Sequence, residues 1–199
     1  HRRRTVTMMD YEAFLASHQA DIDVMELPGA YGQYVHVPHV QLRFLRLSRP
    51  EPFEGGSMAK HSAEVIIDKE TDSAAVLTIE DAIQHVFSAA LADYLTRYPA
   101  RQGKVNGVSC VHDGDVASEV GKDLRNRYVT AKIYITARNR CMPLTVDANG
   151  GYLPPGHINE ADDASVILWF YSYTRKSAGY GDTIGVGCIL IAIQQPGVS

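Results

Sequence analysis

The chain has 199 residues, of which 45% are hydrophobic and 21% charged; this is the composition of an ordinary globular protein, with room for one domain or one domain and an arm. Its formal net charge is −4, so any affinity for nucleic acid has to come from a local concentration of cations. No run approaches the roughly 18 apolar residues that cross a bilayer, no apolar h-region follows His1-Arg2-Arg3-Arg4, and Cys110, Cys141 and Cys188 stand too far apart, and in odd number, for a disulfide framework or a zinc knuckle.

Residues 1–37 read as a mixed N-terminal arm. Within it, residues 10–20 predict a short helix with Tyr11, Phe14 and Leu15 on one side, and Leu27-Pro28-Gly29-Ala30-Tyr31-Gly32 is turn chemistry. From residue 38 the pattern becomes β. Val40, Leu42 and Phe44 alternate with Gln41 and Arg43, and residues 63–68 give a second strand with Val65 and Ile67 inward. Thr78 followed by Asp81 predicts a helix start, and Ile79, Ile83, Val86, Phe87, Ala90, Leu91 and Leu95 continue at helical spacing until Pro99 stops it. This amphipathic helix is expected to plug a barrel end.

After His112-Asp113-Gly114-Asp115, a turn, residues 128–138 alternate. Val129, Ala131, Ile133, Ile135 and Ala137 face one way; Tyr128, Thr130, Lys132, Tyr134, Thr136 and Arg138 face the other. Residues 166–174 and 184–193 are the last strands, joined by a Gly-rich hairpin. Gly185 and Gly187 are expected to permit a barrel bend. The reading is mainly β: a five-stranded antiparallel barrel with one capping helix and an N-terminal arm.

Two segments carry the chemistry. The outer side of residues 128–138 holds Tyr128, Lys132, Tyr134 and Arg138 and no acid. Single-stranded nucleic acid asks for this mixture, because cations follow phosphates while aromatic faces stack bases of any identity. In residues 167–173, Ile167, Trp169, Tyr171 and Tyr173 share one side, Leu168 and Phe170 the other, and Arg175 and Lys176 follow. One of these sides is core; Tyr173 and Tyr180, beside polar loop residues, are the clearer surface candidates. Arg43, Arg46 and Lys60 extend the basic track, although Glu64 and Asp68 share the side of Lys60. His112, Asp113 and Asp115 have the donor chemistry of a divalent-ion site, but a tight turn explains the same residues, and no metal is expected. No nucleophile–base pair, nucleotide loop or zinc-protease motif is present, so no enzyme is expected.

The ordered segments Ala63-Glu64-Val65-Ile66-Ile67-Asp68-Lys69, the helix from Thr78, Asp113-Gly114-Asp115, Tyr128-Val129-Thr130-Ala131-Lys132, Pro143-Leu144-Thr145-Val146-Asp147, Phe170-Tyr171-Ser172-Tyr173 and Gly185-Val186 through Ile193-Gln194 resemble a family of phage single-stranded-DNA-binding proteins, formerly catalogued as a domain of unknown function. The resemblance spans residues 40–195. It implies an OB-type barrel, DNA coating during replication or recombination in the cytoplasm of an infected bacterium, and no cofactor. Tyr128, Lys132, Tyr171 and Tyr173 fall in its motifs; Tyr134, Arg138, Arg43 and Lys60 come from alternation alone. Single-stranded DNA is the expected partner. Self-association along the DNA, with the arm as a strap on a neighbour, and phage replication proteins are further expected partners; a membrane is not. The last residues, 193–199, carry no acid, so recruitment through an acidic tail is not expected. Tyr, Trp and Arg also mark protein interfaces, which leaves a phage structural or protein-docking barrel as the alternative.

Overall fold

The computed structural model describes residues 10–29, 31–52, 58–116, 129–176 and 181–197. Alternation builds its centre. Ala164, Val166, Leu168 and Phe170 of β7 (Ala161–Arg175) are fully buried in the main core, together with Val65 and Ile67 of β2 (Ala59–Asp68) and Ile135 and Ala137 of β5 (Lys132–Asn139).

β1 (Gln33–Pro52) pairs antiparallel with both β2 and β7, β2 pairs antiparallel with β5, and β7 does so with β8 (Asp182–Gln194). The ring closes where Arg138 of β5 meets Ile189 of β8 in parallel. Five strands thus form a closed barrel, antiparallel except at this seam. The short strands β3 (Val105–Ser109), β4 (Val111–Asp113) and β6 (Leu144–Val146) extend the sheet, β3 and β6 parallel to β8 and β4 antiparallel to β5. β1 serves two neighbours by bending. Its register slips between Val37 and Val40 and again between Arg43 and Arg46, with His39 (φ 62°) and Phe44 (φ 53°) in left-handed conformations nearby; bulges of this kind turn the corner of a barrel.

The helix α3 (Ser73–Arg97) starts five residues before the predicted Thr78. Asp68 explains the difference: its Oδ1 accepts the amides of Glu70 and Thr71, both at 2.9 Å, and turns the chain directly into the helix. Thr78 sits inside, its hydroxyl donating to the Ala74 carbonyl at 3.0 Å, an alternative that Ser and Thr often take within helices. By length and composition α3 is long and apolar enough to cross a membrane; here Ile79, Ala82 and Val86 are buried against the barrel core, each large side chain contributing about 1.5–3 kcal/mol. At the far end the Tyr94 hydroxyl donates to the Asp182 carboxylate and ties α3 to the start of β8.

The described part of the arm lies on this chain's own barrel. α1 (Tyr11–Ser17) is capped by Asp10, whose Oδ1 accepts the Ala13 amide at 3.1 Å, and α2 (Gln19–Asp23) follows. Leu15, Ile22 and Met25 are buried against Ile167, Ile191 and Ala192 on the outer face of β7 and β8, with Tyr11 and Phe14 beside them. Asn139 fixes the end of the arm, its Nδ2 donating to Met25 Sδ (3.3 Å) and to the Leu190 carbonyl (2.9 Å).

Candidate nucleic-acid interface

The outward stripe of β7 divides in two. Its first half, Ile167 and Trp169, is covered by the arm, and the Trp169 indole donates to the Pro28 carbonyl at 2.9 Å. Its second half, Tyr171 and Tyr173, is left partly open. The register places Tyr171 opposite Gly187 and Tyr173 opposite Gly185. A Cβ at Gly187 would stand 2.6 Å from Tyr171 Cζ, and one at Gly185 would stand 2.1 Å from Tyr173 Cζ. The two glycines are therefore ring seats, and both phenols lie folded across the β8 backbone.

The ring centroids are 6.3 Å apart, and the Arg175 guanidinium carbon lies 5.5 Å from the Tyr173 centroid, within cation–π range. Burial pushes the Tyr171 phenol up, with Arg138 acting weakly in the opposite direction, so the ring is neutral at physiological pH. Burial also lowers the Arg138 guanidinium from its ordinary value, though an arginine keeps its charge under all ordinary conditions.

These side chains line a groove of 640 Å³ that runs across the barrel seam. Lys60 from β2, Arg138 from β5, Arg140 just beyond the end of β5, and Arg175 from β7 supply its cations; Met25, Glu26 and Pro28 of the arm line it too, with Cys110 and His112, and Glu26 is the one acid among the described lining residues. Among the described residues, Lys60, Arg140 and Arg175 make no ion pair. Several cations elsewhere are neutralised: Arg43 by Asp162, Arg46 by Glu51, Lys69 by Asp113 and Asp115, Arg97 by Asp93, and Lys132 by Asp68. An acidic protein thus keeps a local positive field in the groove.

Lys60, Arg138, Tyr171, Tyr173 and Arg175 come together there. Other expected members do not. Arg43 donates to Asp162 and to the carbonyls of Leu42 and Ala161 (both 2.9 Å), which joins β1 to β7. Lys132 reaches Asp68 at 3.2 Å. Tyr134 is 5% exposed, packed with Ile66 and Val129 under the stacked ring of His112. Trp169 belongs to the arm contact, and Lys176 sits over the Tyr98 ring. β5 begins at Lys132, after Ala131 in a left-handed conformation (φ 59°), so the alternation read from residue 128 holds only from there. Tyr128 and Tyr180 lie outside the described residues. The acids expected to interrupt the track are withdrawn from it: Glu64 is 1% exposed, and Asp68 is occupied by Lys132.

Arg140, Glu26 and His112 were not legible as members. Arg140 stands two residues beyond Arg138, a spacing alternation contains; the arm's contribution has no such signal. The turn at residues 112–115 has another role. Asp113 and Asp115 both receive the Lys69 ammonium, the latter at 2.9 Å, and both carboxyls are held below the usual range. Among the described residues no three metal-ligating side chains converge.

A family model described as Enterobacter phage Enc34, ssDNA-binding protein, matches residues 33–195. The chain belongs to this family. Solved structures agree on the fold. The Enc34 single-stranded DNA-binding protein in complex with ssDNA is 16% identical with a TM-score of 0.54, over 83% of this chain and 87% of that one. Its C-terminal truncation reaches a TM-score of 0.57 at 17% identity, over 87% and 93% of the two chains. The single-stranded DNA binding protein gp2.5 of bacteriophage T7 also has a TM-score of 0.57, at 11% identity, over 84% and 93%. No curated protein matches at the level of sequence. The Enc34-family match begins at the first residue of β1 and ends one residue after β8, so it covers the barrel and leaves the helices of the arm outside.

Proposed function

We propose that this Enc34-family protein binds single-stranded DNA in the groove over the β5–β8 seam, without catalysis and without base identity mattering, and so protects it during phage replication or recombination in the host cytoplasm. The observation that carries the proposal is the meeting of two glycine-seated tyrosine faces with Lys60, Arg140 and Arg175, cations that no described acid neutralises.

An unpaired base can lay its face on Tyr171 or Tyr173, each stacking contact contributing about 1–3 kcal/mol, while the backbone follows the cations. The seats hold the rings in place before the DNA arrives, so little ordering entropy is lost on binding. A duplex keeps its bases stacked inward and offers the groove only phosphate. Binding to Lys60, Arg140 and Arg175 releases condensed counterions, so affinity falls as salt rises.

Fluorescence anisotropy of labelled oligo-dT, titrated at two salt concentrations with a duplex competitor, tests this. Salt-sensitive binding that duplex fails to displace supports the proposal. Absence of binding at low salt overturns it and leaves the aromatic groove as a protein-docking surface.

A further inference from the structure

Arg175 and Lys176 are adjacent in sequence and serve opposite sides of the end of β7. Arg175 lines the groove and sits by Tyr173. The Lys176 ammonium lies 5.5 Å from the centroid of Tyr98, at the C-terminal end of α3. Tyr98 is a large aromatic left 44% exposed, with Tyr94 beneath it at 5.0 Å between ring centroids. A 3-10 turn, Pro99–Arg101, then leads to Lys104, and both Arg101 and Lys104 are exposed. Lys104 is held against the start of β8: a Cβ at Gly181 (φ 80°) would stand 2.8 Å from the Lys104 carbonyl oxygen.

The charge of this patch is not cancelled. Among the described residues Arg101, Lys104 and Lys176 make no ion pair; Asp182 is buried under Tyr94, whose hydroxyl it accepts, and Asp93 faces Arg97 at 3.4 Å. Cations near a helix C-terminus also complement the helix dipole. That accounts for Arg97 in the last turn. It does not account for an exposed Tyr98 or for a lysine delivered to that ring from β7.

We infer that the bound strand continues out of the groove, around the end of β7, onto a second basic–aromatic subsite formed by Tyr98, Arg101, Lys104 and Lys176. This rests on the groove binding single-stranded DNA and lengthens its footprint. Tyr98 stacks a base beyond those held by Tyr171 and Tyr173, and the three cations follow the outgoing phosphates. From Tyr173 to Lys176 the extended chain covers about 10 Å, so the two aromatic stations are near neighbours along one strand.

Oligonucleotide length tests it, with the full chain throughout. Labelled oligo-dT of about 6 nucleotides fits the groove alone, and about 20 nucleotides exceeds the site of one such barrel. Arg101→Glu/Lys104→Glu is expected to weaken the long oligonucleotide about tenfold or more while leaving the short one within about twofold, and Tyr98→Ala to follow the same pattern without changing charge. Equal losses at both lengths, or none at either, would overturn the subsite. Tyr171→Ala/Tyr173→Ala separates the two readings: it weakens both lengths if the groove is right, and binding like the unmodified chain refutes the groove whatever the patch variants do.

Discussion

The Tyr171 ring lies over Gly187, its cross-strand partner, in space that a single methyl group at that position would fill. A platform built this way depends on the glycine as much as on the tyrosine. Gly187→Ala is therefore expected to displace the ring and weaken binding of oligo-dT by about 1–3 kcal/mol, the contribution of one stacked base, with the far-UV spectrum unchanged. Tyr171→Phe keeps the face and is expected to bind normally. A Gly187→Ala variant with full affinity would show that the seat is irrelevant.

Ion pairing should sort the cations. Lys60→Ala and Arg140→Ala are each expected to reduce the slope of log affinity against log salt by about 0.7, the increment for one phosphate contact on a single strand. Lys132→Ala should leave the slope unchanged, since Asp68 already occupies its ammonium. Measuring anisotropy across a salt series checks all three; an equal change from Lys132→Ala would place the DNA on the other end of β5.

The arm contact has an optical reporter, because the chain's one tryptophan, Trp169, lies beneath it. Ile22→Ala removes a side chain buried to 2% exposure, a change that costs about 2–5 kcal/mol in a packed site. Loosening of the arm is expected to shift Trp169 emission to the red and to speed proteolysis before β1. Unchanged emission would mean that the arm is held by other contacts.

Acid should weaken the fold through the turn that follows β4. The Lys69 ammonium holds the Asp113 carboxyl below its ordinary range; the Ala131 amide, then Lys69, does the same for Asp115. The amides of Thr71 and Glu70, then Lys132, lower Asp68 strongly. Each group is lower in the folded state, so its contribution is complete above about pH 4 and disappears as pH falls through the folded values. Urea midpoints for Lys69→Met are expected to fall less steeply below pH 4 than those of the parent chain. Parallel curves would contradict the role given to Lys69.

Strand alternation carried much of this architecture. The shared side of Ile167, Trp169, Tyr171 and Tyr173 is real, and Tyr11, Phe14 and Leu15 do pack from one face of α1. What alternation cannot convey is partnership at a distance. Arg43 and Lys132 look like open cations on their own strands, yet their acids come from 119 and 64 residues away. Tyr134 has the pattern of an outward aromatic and is covered by His112 from β4. Gly185 and Gly187 become ring seats only when the register sets a tyrosine across from each. The groove itself exists only after β5 and β8 close the barrel and bring Lys60, Arg138 and Arg175 to one place.

The central claim is that Tyr171 and Tyr173 are where the DNA lies. The most direct measurement is the affinity of Tyr171→Ala/Tyr173→Ala for oligo-dT at low salt, beside the unmodified chain, with thermal unfolding recorded for both. The predicted result is a loss of about 2–6 kcal/mol, one stacking contribution for each ring, in a protein that still unfolds cooperatively. Undiminished affinity in the folded double variant would contradict the account and place the DNA elsewhere on the barrel.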